Sequence, residues 1–189
     1  MEAAPKAMEE LSLHILDIAQ NAVAAQATSV EIAIVEDTAI ETLTLSVADN
    51  GIGMDEQTVR QATEWGFSTK PHNKGGFGLP MFQRAARVTG GSMQITSAPG
   101  LGTDVRAVLH TGHPAYVPLG DMSETFVILM VGHPDVEFTY RRSCNDASFI
   151  LSTAYMKQVL GNVPLNCRAV IEWSVRRINE QTALLGSKA

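Results

Sequence analysis

The feature that most constrains this chain is an alternating strand that runs directly into Asp49-Asn50-Gly51-Ile52-Gly53. Leu43, Leu45 and Val47 alternate with polar or small neighbours, the two-residue period of a strand with one buried face. A carboxylate at the end of such a strand can accept a hydrogen bond from an exocyclic amine, and the two glycines let backbone pass close to a flat ring with no Cβ in the way. Those are the needs of an adenine ring. Asp-Asn-Gly by itself is also an ordinary turn sequence, and only its companions set it apart. Asp17 and Asn21 lie four apart on a predicted helix and share a face, a spacing that solvated helix surfaces show as well. Gly75-Gly76-Phe77-Gly78 opens a second helix, where backbone N–H groups can turn toward phosphate oxygens. Phe67-Ser68-Thr69-Lys70 falls between the last two motifs, and Pro99-Gly100-Leu101-Gly102-Thr103 follows them. The order and spacing of the whole set describe a nucleotide site.

The elements that carry these motifs can be placed from periodicity. Glu9 to Gln26 predicts a helix with Leu11, Ile15, Ile18 and Ala22 on one stripe, beginning near Ser12 or earlier. Strands are expected at Ser29 to Val35 and Thr42 to Ala48, then a short helix after Met54. The polar, Gly- and Pro-containing stretch from Glu64 to Gly76 has no clean period, which suits a lid over a ligand. Gly78 to Val88 predicts a second long helix, and Ser92 to Ser97 with Asp104 to Leu109 a closing hairpin. Strands paired antiparallel with one apolar face, and helices gathered on that face, make an α+β fold, a two-layer α/β sandwich. After His110 the texture changes. Pro114, Pro118 and Gly120 mark a linker, Thr125 to Val131 is a strongly apolar segment, and Glu137 to Arg142 is a more polar strand. Helices are expected from about Ser148 to Leu160 and from Cys167 to Leu185. The second of these offers Val170, Ile171, Trp173, Ile178 and Leu185 as cover for the apolar segment. The predicted division is residues 9–112 as one domain and residues 113–189 as a small C-terminal α+β module.

Composition narrows the functional classes. A net charge of −6 over 189 residues gives no basic face for phosphate neutralisation along a nucleic acid. The longest apolar run, Phe126 to Val131, is far shorter than a membrane span. With no long apolar segment at Met1-Glu2-Ala3-Ala4-Pro5-Lys6 either, a cytoplasmic location is expected. Cys144 and Cys167 have no Cys-x-x-Cys or His-rich frame and read as reduced thiols.

From Leu11 to His110 the chain resembles the gyrase, heat-shock chaperone, histidine kinase and MutL superfamily of ATPases, most closely the histidine kinase-like ATP-binding domain of Bergerat type. Asp17-Ile18-Ala19-Gln20-Asn21-Ala22 is similar to its N box, Asp49-Asn50-Gly51-Ile52-Gly53-Met54 to its first glycine box, and Lys74-Gly75-Gly76-Phe77-Gly78-Leu79 to its second. The resemblance implies ATP and Mg²⁺ as ligands. It implies Asp17 as the catalytic carboxylate, Asn21 as the metal ligand, and Asp49, Gly51, Gly53, Lys70, Gly76, Gly78 and Thr103 as further nucleotide contacts. Thr103 is then expected to support the adenine contact of Asp49, and Lys70 to bring positive charge to the phosphates; for Lys74 simple solvation is as good a reading.

Of the departures from the family pattern, which include Lys74 in the first slot of the second glycine box, two bear most on activity. Hydrolysing members typically carry glutamate where this chain has Asp17, which shortens the reach of the carboxylate by about 1.5 Å, one carbon–carbon bond. A misplacement of about 1 Å can cost on the order of 10²-fold in rate, so any hydrolysis is expected to be slow. Histidine kinases also carry a phosphoacceptor histidine on a separate helical hairpin; no such hairpin is legible before Leu11, and His14 lies inside the N box itself. The expectation that follows is a stand-alone kinase module that phosphorylates a separate protein on histidine or serine. A slow ATPase that acts as a conformational switch, holding a partner through its C-terminal module, and a pure nucleotide-binding module remain open beside it. The phosphoacceptor, the protein partner and the oligomeric state are not legible in the sequence.

Overall fold

The computed structural model describes residues 10–67 and 76–187. The described chain runs α1 (Leu11–Ala24), β1 (Ser29–Asp37), β2 (Thr42–Asp49), α2 (Glu56–Gln61), α3 (Gly78–Val88), β3 (Ser92–Ala98), β4 (Gly102–His110), α4 (Met122–Gly132), β5 (Glu137–Cys144), β6 (Ala147–Ser152), α5 (Thr153–Leu160) and α6 (Arg168–Leu184). The predicted helices over α1 and α3 and the strands β1 to β4 are all present, with ends within a few residues of those expected.

The strands form one six-stranded sheet in the order β3-β4-β2-β1-β5-β6. Alternation decides its buried face: Val30, Ile32 and Ile34 of β1, Leu43, Leu45 and Val47 of β2, and Val105, Ala107 and Leu109 of β4 are all buried. Phe138 and Tyr140 of β5 and Phe149 and Leu151 of β6 continue that face. Against it lie Leu11, Ile15, Ile18 and Ala22 of α1, Phe82 and Ala86 of α3, Phe126 and Leu129 of α4, and Ile178 of α6, in one continuous core. This is the expected α+β sandwich, one sheet and one helical layer.

The sheet is mixed, whereas antiparallel pairing alone was expected. β1 pairs with β5 in parallel, Val30 opposite Phe138 and Ile34 opposite Arg142. The cause is α4, which follows β4 and packs on α1, carrying the chain back over the helical layer before β5 begins.

Two stretches of the C-terminal part are settled by the structure, one left unassigned by the sequence and one expected otherwise. The apolar segment Thr125 to Val131 is helical, inside α4, where Asp121 caps the helix by accepting from the Ser123 and Glu124 amides. A helix buried on most sides has no polar stripe, and its apolar run carries no period that separates it from a strand. Ser148 to Leu160 is a strand followed by a helix: Phe149 and Leu151 face the core in β6 before Ser152 caps α5. α6 does pack on α4. Val170 and Ile178 are buried there and Ile171 and Leu185 are partly buried against the core, but Trp173 is 47% exposed and takes no part in that cover.

Candidate functional site

The predicted motifs gather at the end of the sheet where β2 stops and β4 starts. On the core face, the last apolar row across three strands is Val47, Val105 and Ile95, directly opposed in register. The next row on that face is Asp49, Thr103 and Ser97. All three are half-buried, so the core gives way to a polar shelf under the helices.

Asp49 is held by its own turn. Its Oδ1 accepts from the Gly51 amide at 2.7 Å, so the carboxylate has one oxygen committed locally. Asn50 ties the turn to the chain entering β1: its Oδ1 accepts from the Thr28 and Ser29 amides, each at 2.9 Å, and its Nδ2 donates to the Thr28 hydroxyl at 2.9 Å. The glycines that follow are required by close approach. A Cβ on Gly51 would lie 2.6 Å from the Ala25 carbonyl oxygen, and one on Gly53, whose φ is +66°, would overlap the Ala98 carbonyl. Gly102, with φ +81°, is pressed in the same way against the Asp49 backbone. The first glycine box, the end of α1 and the β3–β4 turn are thus packed backbone to backbone, a fit no larger residue allows.

α1 spans the site. At its C-terminal end Ala25 accepts from the Ile52 amide at 2.9 Å, which fixes the helix to the first glycine box. One turn earlier is Asn21 and one turn before that Asp17, both half-buried. A Cβ on Gly78 would overlap the Asp17 carboxylate, so the second glycine box, at the start of α3, approaches α1 at that residue. Gly76, with φ +95°, accepts from the Gly66 amide at 3.1 Å and leaves no room for a side chain against Phe67. Of the predicted site residues, Asp17, Asn21, Asp49, Gly51, Gly53, Gly76, Gly78 and Thr103 are therefore arranged along and opposite one helix. Lys70 lies outside the described residues, as does Lys74.

His14 is one turn before Asp17 on the same helix. It is 2% exposed, its ring packs on Phe82 of α3 at 5.7 Å between centroids, and burial lowers its pKa to about 4. Its Nδ1 has no hydrogen-bond partner among the described residues. It is thus a neutral core imidazole between α1 and α3.

Sequence reasoning missed two polar residues here. Asn50 stood in the motif, but its partners Thr28 and Ser29 are known only once the turn is folded. Ser97 ended a predicted strand of the closing hairpin, but nothing in the sequence singled out its hydroxyl. Its hydroxyl accepts from the Met54 amide at 2.8 Å, donates to the Gly102 carbonyl at 2.7 Å and lies 3.0 Å from the Thr103 hydroxyl.

With this geometry in place, the comparisons with known proteins decide the family. Residues 6–113 match the histidine kinase-, DNA gyrase B-, and HSP90-like ATPase family. The chain belongs to this family. A protein of Shewanella frigidimarina (strain NCIMB 400) described as "Putative sensor protein" is 32% identical over 102 residues, which cover 53% of this chain and 16% of that relative. The matched half of the chain therefore spans only a small part of that longer protein. Among solved structures, the ATPase domain of Aquifex aeolicus MutL complexed with ADP has a TM-score of 0.52 at 16% identity, covering 81% of this chain and 69% of the other. The N-terminal domain of a DNA repair protein has a TM-score of 0.55 at 13% identity, covering 77% of this chain and 53% of that one. At those identities the likeness is one of fold. No described helix is long and apolar enough to cross a membrane.

Proposed function

We propose that this chain binds Mg·ATP at the shelf beneath α1 and α3 and acts as a kinase catalytic module on a separate protein. The observation that carries the reading is the convergence of Asp17, Asn21 and both glycine boxes along one helix, at the end of the sheet where Asp49 offers a carboxylate. The ADP-bound MutL domain that shares the fold supports a nucleotide as the ligand.

The residues fit both ligands. Gly53 and Gly102 close the first glycine box tightly against the β3–β4 turn, so that backbone and not side chains flanks Asp49, which suits a flat base accepted through an exocyclic amine. Gly76 and Gly78 place bare backbone at the start of α3, where N–H groups stabilise phosphate oxygens. Asn21 brings a hard carbonyl oxygen of the kind Mg²⁺ takes together with waters and phosphate oxygens. Bound there, Mg²⁺ would neutralise charge on the phosphates.

Asp17, pressed against Gly78, is the carboxylate nearest the phosphate end and the residue assigned to accept the proton of an attacking group. Support for an acceptor on another polypeptide comes from His14: buried, neutral and packed on Phe82, it is not presented to a phosphoryl group. The second reading is a slow ATPase, or a switch that holds a partner through the C-terminal elements, and the aspartate in place of a longer carboxylate favours it.

Calorimetry with ADP, with and without Mg²⁺, tests the binding step, and incubation with γ-labelled ATP alone and with candidate partners tests the transfer. Tighter binding with Mg²⁺, no label on the chain alone and label on a partner are the expected results. Stoichiometric label on the isolated chain that His14→Gln abolishes would overturn the separate acceptor. Phosphate release without label transfer to any partner would favour the second reading.

A further inference from the structure

We propose that Ser97 determines the base preference of this site by holding the Thr103 hydroxyl as an acceptor toward the purine, so that a 6-amino purine nucleotide is taken and a 6-oxo one is turned away. The inference rests on the nucleotide reading above and names a residue that reading does not use.

The Ser97 hydroxyl has one hydrogen and makes three polar contacts. The Met54 amide can only donate, so Ser97 accepts there, at 2.8 Å. The Gly102 carbonyl can only accept, so Ser97 donates there, at 2.7 Å. Its hydrogen is then committed, and the 3.0 Å contact with Thr103 is satisfied only when Thr103 donates and Ser97 accepts. The Thr103 hydrogen therefore points along the sheet to Ser97, and the rest of its oxygen is acceptor alone.

Thr103 stands directly opposite Asp49 across the β2–β4 pair, and residues so paired project to the same face. An ionised carboxylate is also acceptor alone, with Oδ1 already taken by the Gly51 amide. Two adjacent groups thus present lone pairs to the base. An exocyclic amine has two hydrogens to give and meets both. A 6-oxo group meets lone pairs with lone pairs, and a site that cannot supply a donor rejects it. Without Ser97 the Thr103 hydroxyl is free to rotate and donate, and part of the discrimination is lost.

The test is calorimetric titration of the full chain with ADP and with inosine diphosphate, which differs at the 6-position of the base. The native chain, Ser97→Ala, Thr103→Val, the double variant and Ser97→Thr are compared. Expected results are a preference for ADP in the native chain, and a preference lower by about three- to tenfold in Ser97→Ala. No further drop is expected when Ser97→Ala is added to Thr103→Val, because Ser97 acts through Thr103. Ser97→Thr retains the hydroxyl and the preference. A serine that merely packs the turn would weaken both nucleotides equally and leave their ratio unchanged, and that result overturns the proposal, as does an equal drop with and without the Thr103 hydroxyl. Should Ser97→Ala fail to fold, the ratio must still fall in Thr103→Val and persist in Ser97→Thr. A native chain that binds ADP without preference over inosine diphosphate overturns this proposal alone. One that binds neither overturns the nucleotide reading and this proposal with it.

Discussion

At the Asp49 end of the sheet, the polar residues that follow the last apolar row stay half-buried, and the loops around them are bare glycine backbone. At the opposite end of the same strands, Glu36 of β1 is 4% exposed and Arg142 of β5 is 2% exposed. There the Ser187 hydroxyl, just past α6, donates to Glu36 and accepts from Arg142. Tyr116 shares this environment: burial pushes its hydroxyl up to about 12, the Glu36 carboxylate adds to the rise and Arg142 opposes it. Both ends are polar. One end turns its hydrogen-bonding groups inward and links β1, β5 and the chain after α6, whereas at the other Asp49, Thr103 and Ser97 lie half-buried beside close-packed glycine backbone. The sheet thus gathers buried charge at the Arg142 end, and half-buried polar groups beside glycine backbone at the Asp49 end.

The sharpest way to break that separation is Arg142→Leu. Removing one partner of a buried charged group leaves Glu36 uncompensated, and such losses run to about 3–5 kcal/mol. Denaturant unfolding should show a loss of that size, while the nucleotide affinity of the variant under folding conditions stays near native. A matching loss of affinity would show that the two ends are coupled through β1.

His14 gives a somewhat smaller effect on the other side of the comparison. Its folded pKa of about 4 lies below the ordinary 6.5, so the unfolded chain binds more protons across that window. Stability therefore falls as pH drops from about 6.5 toward 4, by an amount approaching about 3 kcal/mol at the low end. His14→Leu should flatten the pH dependence of the unfolding free energy between pH 5 and 6.5, where about 2 kcal/mol of that change falls. An unaltered slope in that variant would assign the acid sensitivity elsewhere.

Asp49→Asn separates binding from stability most cleanly. The amide oxygen of asparagine can still accept from Gly51, so the turn is kept, but the second carboxylate oxygen becomes a donor facing the base. Loss of a hydrogen bond to a charged group is worth roughly 1.5–3 kcal/mol, or about ten- to a hundredfold in ATP affinity by calorimetry. The unfolding midpoint should move little. Unchanged ATP affinity would show that Asp49 is not the base contact.

What could be read before folding divides along the same line. The helix of Asp17 and Asn21, the strand into Asp49 and the glycines after it are local patterns, set by the 3.6 and 2.0 residue periods and by the backbone space that only glycine leaves open. Those patterns were enough to recover α1 through β4, and with them the family. The C-terminal part resisted because its information is not local. α4 is apolar nearly all round, so it could not be told from a strand by period, and β6 with α5 looked like one helix until Phe149 and Leu151 found the core face of β5.

The sequence by itself therefore determined the two-layer core and the motifs that mark the candidate site, because amphipathic period and residue type are properties of short segments. Only the tertiary structure decided that β5 joins β1 in parallel, that Trp173 faces outward, that Arg142 and Glu36 meet at Ser187, and that Ser97 stands beside Thr103. Each of these depends on register between segments far apart in the chain, and register is set by burying all the apolar faces at once, a condition no single segment carries.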